Sequence, residues 1–267
     1  MTGTEAPPSA HARALARLYD VDLADDPGDL DLYLALARRT AGPLLELAAG
    51  TGRLAVPLAA SGFDVTAVDV DPAMLERARD RSAAAGEATR DRLTFVEADL
   101  LELELPAGDA FRLAFIALNS LFLLATRDAQ RAAFRTLARY LAPGGVAVVD
   151  VWLPDADDLA RFDGRLVLEY ERVDPESGLV VLKTAAARHD AATGTVELTT
   201  IFDEGEPGAA PVRWTRRDAL RLVSPAELRD FAEAAGLVVE SVAGGYDLEE
   251  LGPGSERAIV IARRPSG

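Results

Sequence analysis

The 267-residue chain predicts an α/β fold, with a mostly parallel sheet, an antiparallel β insertion and a helical N-terminal cap. Three observations predict it. Short continuous apolar runs alternate with helical patterns between residues 43 and 153, as in a parallel sheet covered on both faces. The period then changes to four strand-like runs separated by turn clusters. Two amphipathic helical patterns precede both regions.

The cap, residues 1–42, reads as two helices. His11–Tyr19 sets Leu15 and Leu18 on one face, and Asp29–Arg39 sets Leu30, Tyr33, Leu34 and Ala37 at helical spacing. Asp26-Pro27 is a start signal for the second. In the core, residues 43–153, strands are expected at Leu44–Leu47, Val65–Val68, Leu93–Val96, Leu113–Leu118 and Val146–Val151. Helices are expected at Leu54–Ala60, Pro72–Ala84 and Ala129–Leu141, with Asp71-Pro72 as N-cap and first-turn proline. Pro143-Gly144-Gly145 reads as a stop and turn before the fifth strand.

The insertion, residues 154–223, holds the runs Arg165–Val173, Leu179–His189, Thr195–Phe202 and Val212–Val223, expected to form a hairpin-connected antiparallel sheet. Residues 224–267 complete the core. Ser224-Pro225-Ala226-Glu227 is a capping box, the helix runs to Ala235, and Gly236 stands at C′. Two strands follow, Leu237–Val242 and Ala258–Ala262.

The formal net charge of −16 disfavours nucleic acid and anionic membrane surfaces as partners. No apolar run approaches the roughly 18–20 residues of a membrane span, and the N-terminus lacks the basic flank and apolar stretch of a secretory signal. Absence of cysteine removes disulfides, thiolate catalysis and Cys-based zinc sites, and no metal is expected. A cytoplasmic location is the expectation. Lys183 is the only lysine among 28 basic residues, which reads as codon bias, so a single arginine carries little functional weight.

The sharpest local signal is Leu44-Leu45-Glu46-Leu47-Ala48-Ala49-Gly50-Thr51-Gly52-Arg53, a glycine-rich turn between a predicted strand and a predicted helix. Small residues there let a ligand approach the backbone, and the helix N-terminus offers free N–H groups. Asp69 ends the second strand, where a carboxylate can accept both hydroxyls of a ribose. Gly50-x-Gly52-x-x-Ala55 also satisfies a relaxed dinucleotide fingerprint. Glu46 separates the two cases, because a carboxylate there repels a pyrophosphate and suits a cationic ligand.

LLELAAGTGRLAVPLAASGFDVTAVDVDPAML resembles the first two motifs of class I S-adenosylmethionine (SAM)-dependent methyltransferases. FVEADL, FIALNSLFLL and LARYLAPGGVAVVDVW continue the likeness in order, and SPAELRDFAEAAGLVVESV resumes it near the end. The resemblance implies a Rossmann-like seven-stranded sheet, SAM as cofactor, S-adenosylhomocysteine (SAH) as its product and a small-molecule acceptor. It places Glu46, Ala48, Gly50 and Gly52 along the methionine part of SAM, Asp69 on the ribose, and Val70 and Met74 near the adenine. Asp99 would accept from the adenine amino group with Leu100 beside it, and Asn119 would face the methyl-transfer site. Tyr19 and Tyr33 match aromatic positions that cover SAM in sugar and glycine N-methyltransferases; amphipathic helix packing is the alternative for both.

Two departures stand out. Ala48 replaces the family's usual first glycine, which a negative backbone angle would accommodate. Leu123 stands where small-molecule relatives often carry histidine.

Methyl transfer is an in-line displacement that requires alignment and exclusion of water. A neutral amine attacks without a strong base, whereas an alcohol usually needs one. Candidate catalytic groups are Asn119, His189, Glu169 and Tyr246. His189 ends an insertion strand, and Glu169 and Glu171 alternate with Leu168 and Tyr170 and so are expected on one strand face. Tyr246 lies in Gly244-Gly245-Tyr246-Asp247, before the last strand. Trp214 suits a pocket wall or the core. N-methylation of a small molecule is favoured. Two alternatives remain: a non-methylating SAM-binding relative (a cyclase or a binding protein), and a NAD-dependent oxidoreductase. The insertion is expected to serve as a lid or as a homo-oligomer contact.

Overall fold

A computed structural model describes residues 8–106 and 111–266; the first seven residues of the expected cap lie outside it. Eleven strands form among the described residues: β1 (Leu44–Leu47), β2 (Val65–Asp69), β3 (Leu93–Glu97), β4 (Phe111–Ile116), β5 (Leu141–Trp152), β6 (Val167–Val173), β7 (Val180–Asp190), β8 (Thr195–Gly205), β9 (Val212–Arg221), β10 (Val238–Ala243) and β11 (Arg257–Arg263). Seven of them make one sheet in the order β10-β11-β5-β4-β1-β2-β3. All its pairings are parallel except those of β11, which runs antiparallel to β10 and β5. The remaining four make an antiparallel sheet, β6-β7-β8-β9.

The helices are α1 (Ala10–Asp22), α2 (Leu30–Thr40), α3 (Ala55–Ala60), α4 (Pro72–Ala84), α5 (Glu87–Arg90), α6 (Arg127–Tyr140), α7 (Ala156–Arg161) and α8 (Pro225–Ala234). Alternating strand residues face opposite layers. Leu45, Leu47, Ile116, Val149 and Val151 pack with Phe134 and Leu137 of α6 and Phe231 of α8. Leu44, Leu113, Phe115 and Val148 pack with Tyr33 and Leu36 of α2 and Leu58 of α3. Each fully buried side chain of this size contributes about 1.5–3 kcal/mol, so the two layers anchor the sheet. Among the described residues no helix is long and apolar enough to cross a membrane.

Three expectations need correction. Pro143-Gly144-Gly145 is not a turn ahead of the fifth strand but a bulge inside β5. Phe111 pairs with Leu141 whereas Leu113 pairs with Val146, so the strand absorbs the surplus residues there. Gly144 takes φ 78°, and hydrogen bonds to Arg264 on both sides (2.9 Å each) carry the pairing through the bulge. Secondly, Asp26 does not start the second helix: its carboxylate accepts the Gly28 N–H at 2.9 Å, and α2 begins at Leu30. Thirdly, β4 ends at Ile116 rather than at Leu118. Leu118 and Asn119 both have positive φ, 48° and 67°, which no strand accepts.

Candidate active site

The carboxyl ends of β1, β2, β4 and β5 converge where the order of the large sheet reverses, the usual place for a ligand in an open α/β sheet. The glycine turn leaves β1 there. Gly50 and Gly52 take φ 55° and 73°, and a Cβ on Gly52 would lie 3.1 Å from both Ala78 Cβ and Val56 Cγ2. Ala48 takes φ 57°, so the expected negative angle is not found; the turn imposes a left-handed conformation on an alanine. Asp69 accepts the Gly50 N–H at 2.7 Å and the Asp71 N–H at 2.9 Å, which fixes its carboxylate against the turn. Burial pushes the Asp69 carboxyl above the usual range.

Glu46 is 4% exposed, and its Oε2 has no hydrogen-bond partner. Burial pushes its carboxyl up to about 8, with Arg53 opposing the rise and Asp29 and Asp69 adding to it. Arg53 is committed elsewhere: its guanidinium grips the buried Asp29 carboxylate at 2.6 and 2.7 Å. Tyr33 is wholly buried with its ring 4.6 Å from Phe115, as the packing alternative expects. Its hydroxyl is nevertheless unpartnered, in the field of Asp150, Asp29, Tyr246 and Glu46. An unsatisfied buried polar group costs about 1–3 kcal/mol, which a ligand could relieve. Tyr19 lies over the turn, its ring edge 3.8 Å from where a Gly50 Cβ would stand.

A second polar group surrounds Asn119. Its Oδ1 accepts the Trp152 N–H at 2.5 Å, and Arg257 approaches it at 3.4 Å. Arg257 also holds the buried Asp150 carboxylate at 2.6 and 2.8 Å. Tyr246 donates its hydroxyl to Asp150 at 3.0 Å, and Arg257 stacks 4.9 Å over its ring, which ties it to this group. Burial first, and then the Asp150 charge, raise the Tyr246 hydroxyl above its usual range. Sequence reasoning missed Asp150, Arg257, Asp29 and Arg53. A signal existed for Asp150, a lone carboxylate inside the apolar run Val146–Val151.

The other expected residues lie at the ends of β2 and β3, on α4 and on the four-stranded sheet. Val70 is 67% exposed at the end of β2, an apolar surface open to a ring. Met74 is buried among Ala16 and Ala73, with Tyr19 against the cluster, where α1 packs on α4. Asp99 accepts the Leu101 N–H at 2.8 Å, and the Leu100 carbonyl accepts from Thr136 at 3.0 Å. Among the described residues no hydrogen bond joins Glu169 to Asn119. The β6–β7 pairing slips at Glu169, and its carboxylate pairs with Lys183 at 2.7 Å. The slip breaks the strict alternation on which a shared face with Glu171 depended. His189 pairs with Val196 in the β7–β8 ladder, and among the described residues no hydrogen bond links it to Asn119, Asp150 or Tyr246. Trp214, partly buried, packs against the cluster of Leu18, Val21, Val181 and Phe202 and donates to Glu204 at 2.7 Å.

Comparison with known proteins shows a SAM-dependent methyltransferase of class I. Residues 44–145 match the family model described as a methyltransferase domain. The chain is 30% identical over 225 residues to the cypemycin N-terminal methyltransferase of Streptomyces sp, spanning 83% of this chain and 82% of that one. It is also 27% identical over 233 residues to the dTDP-3-amino-3,4,6-trideoxy-alpha-D-glucopyranose N,N-dimethyltransferase of Streptomyces venezuelae, spanning 84% and 87%. The CcbJ methyltransferase structure from Streptomyces caelestis superposes with a TM-score of 0.75 at 27% identity, covering 90% of this chain and 97% of that one. The chain spans 54% of the length of a further curated relative that it matches. This chain belongs to the SAM-dependent methyltransferases. The nicotinamide alternative therefore falls.

Proposed function

We propose that the chain methylates nitrogen on a small amine-bearing acceptor. The observation that carries this reading is that Arg257 and Tyr246 both donate to Asp150 beside Asn119. The carboxylate is paired with a guanidinium and the phenol is a donor with a raised pKa, so this cluster is not set to strip a proton from an alcohol. A neutral amine needs only orientation. The N-methylating relatives point the same way, one named for a peptide N-terminus and one for an amino sugar.

The residues at the carboxyl edge suit the cofactor. Glu46, with an unpartnered buried oxygen, would take the ammonium of the methionine part, and Gly50 and Gly52 would admit it close to the backbone. Asp69 would hold the ribose, Val70 and Asp99 the adenine, and Tyr19 would close the turn from α1. Bound SAM supplies an electrophilic methyl on a sulfonium. Asn119 and the Tyr246–Asp150 pair would orient the attacking nitrogen. The unpartnered Tyr33 hydroxyl is within electrostatic reach of Glu46 and of Asp150. The four-stranded sheet would carry acceptor specificity and, through it, a homo-oligomer contact.

The test is incubation with SAM and matched acceptors that differ only in carrying an amine or a hydroxyl: an amino sugar nucleotide, a peptide with a free N-terminus and glycine. SAH should accumulate with an amine and not with its hydroxyl counterpart. Turnover of the hydroxyl member alone would refute nitrogen selectivity, and SAH binding without transfer to any member would favour the non-methylating alternative.

A further inference from the structure

Helix α1 grips two parts of the molecule at once. Towards the core, Asp20 accepts the Thr51 hydroxyl of the glycine turn at 2.6 Å, and Arg77 and Arg81 of α4 hold the same carboxylate at 2.9 Å each. Tyr19, its neighbour, covers Gly50. Towards the four-stranded sheet, the Arg17 guanidinium bridges the carboxylates of Asp174 and Glu204, which are 1% and 6% exposed. Both carboxylates are held from the sheet side as well, Asp174 by the Ser177 hydroxyl at 2.6 Å and Glu204 by the Trp214 indole at 2.7 Å. Lys183 of β7 reaches Asp22 at 2.7 Å, and Leu18 and Val21 pack on Val181 and Phe202.

We infer that Arg17 is a positioning residue that ties the glycine turn to the four-stranded sheet, so that cofactor affinity depends on residues of that sheet. The physical reason is the stringency of a buried ion cluster. Two desolvated carboxylates share one guanidinium, and any displacement of α1 leaves charge uncompensated. The helix therefore follows the sheet. Three residues along from Arg17, Asp20 transmits that position to Thr51, and Tyr19 transmits it to Gly50. Arg17 itself touches neither the turn nor the Asn119 cluster. An acceptor that settles the sheet would thereby tighten cofactor binding, and by linkage the cofactor would tighten acceptor binding.

The test is calorimetric titration of the full chain with SAH. Arg17→Met and Glu204→Gln should each raise the SAH Kd by about tenfold, within the range that coupling between sites reaches. The double variant should be no weaker than Arg17→Met alone, and Arg17→Lys should recover part of the loss. Arg13→Met removes an exposed α1–α4 pair with Glu76 (2.8 Å) and should leave the Kd within about twofold. A folded Arg17→Met or Glu204→Gln protein whose Kd stays within about twofold of wild type would overturn the inference, as would full additivity of the two losses. Should Arg17→Met not fold, Glu204→Gln decides alone, since it keeps the Arg17–Asp174 pair and an acceptor for Trp214. Wild-type protein that fails to bind SAH would instead overturn the cofactor assignment, and this inference with it.

Discussion

Glu46 brings a carboxyl group into the apolar end of β1 and leaves one oxygen without a partner. Its pKa near 8 means that the group is mostly protonated at neutral pH before a ligand arrives. A cationic ligand favours the ionised form, so binding releases a proton. SAH affinity should therefore fall as the pH drops below that value, approaching about tenfold per unit for one proton. Calorimetry across this range should show the slope in wild type and its loss in Glu46→Gln; a flat wild-type profile would refute it. The same shift bears on stability. Because the folded protein binds this proton more tightly than the unfolded chain does, Glu46 favours folding below the ordinary glutamate range, and that contribution is lost as the pH rises through about 8.

Ala48 offers a second test at this scale. Held at φ 57°, it should be strained by about 1–2 kcal/mol, and Ala48→Gly should recover part of that, read as a higher urea midpoint at unchanged slope. The acidic residues of the glycine region were legible in the sequence because a charge beside an apolar strand is conspicuous. The sign of φ at Ala48 was not, since the turn and not the side chain dictates it. Arg257 and Arg53 escaped notice for another reason: in a chain whose basic residues are almost all arginine, identity alone distinguishes none of them.

At the scale of elements, periodicity located the strands and long helices to within a few residues, and helix α4 at its observed ends, where Asp71 caps the Ala73 N–H at 2.8 Å beside a first-turn proline. The Ser224–Glu227 box likewise starts α8. What the sequence did not disclose was structure that neighbours impose. Pro143-Gly144-Gly145 has the composition of a turn, yet pairing with the end of β11 keeps it in β5. Gly145 is fixed there by crowding: a Cβ would lie 2.9 Å from the Ala142 carbonyl oxygen and 3.0 Å from that of Phe111. Gly145→Ala should destabilise the protein by about 1–3 kcal/mol, measured by urea unfolding. An unchanged midpoint would show that the bulge yields freely. Short pieces such as α5 and α7 were missed because a four- or six-residue helix has too few turns to display a period.

For the whole molecule, alternation of strand and helix specified the large sheet, and the later change of period specified the small one. Their joint arrangement was not readable. It rests on ion pairs between residues far apart in sequence, such as Arg17 with Asp174 and Glu204 or Arg77 with Glu176, and charge pairing at that separation leaves no local pattern. The net charge of −16 coexists with this network, in which Arg17 and Arg77 each hold two carboxylates. The crevice at the carboxyl edge of the large sheet thus gathers from elements that the primary structure announces, while the surroundings of Asn119 depend on contacts it does not. The most direct measurement is a crystal structure of the protein with SAH. The ammonium should lie within hydrogen-bond distance of Glu46 Oε2, with the ribose hydroxyls on Asp69. Ordered ligand whose amino group contacts neither Glu46 nor the glycine turn would contradict the account.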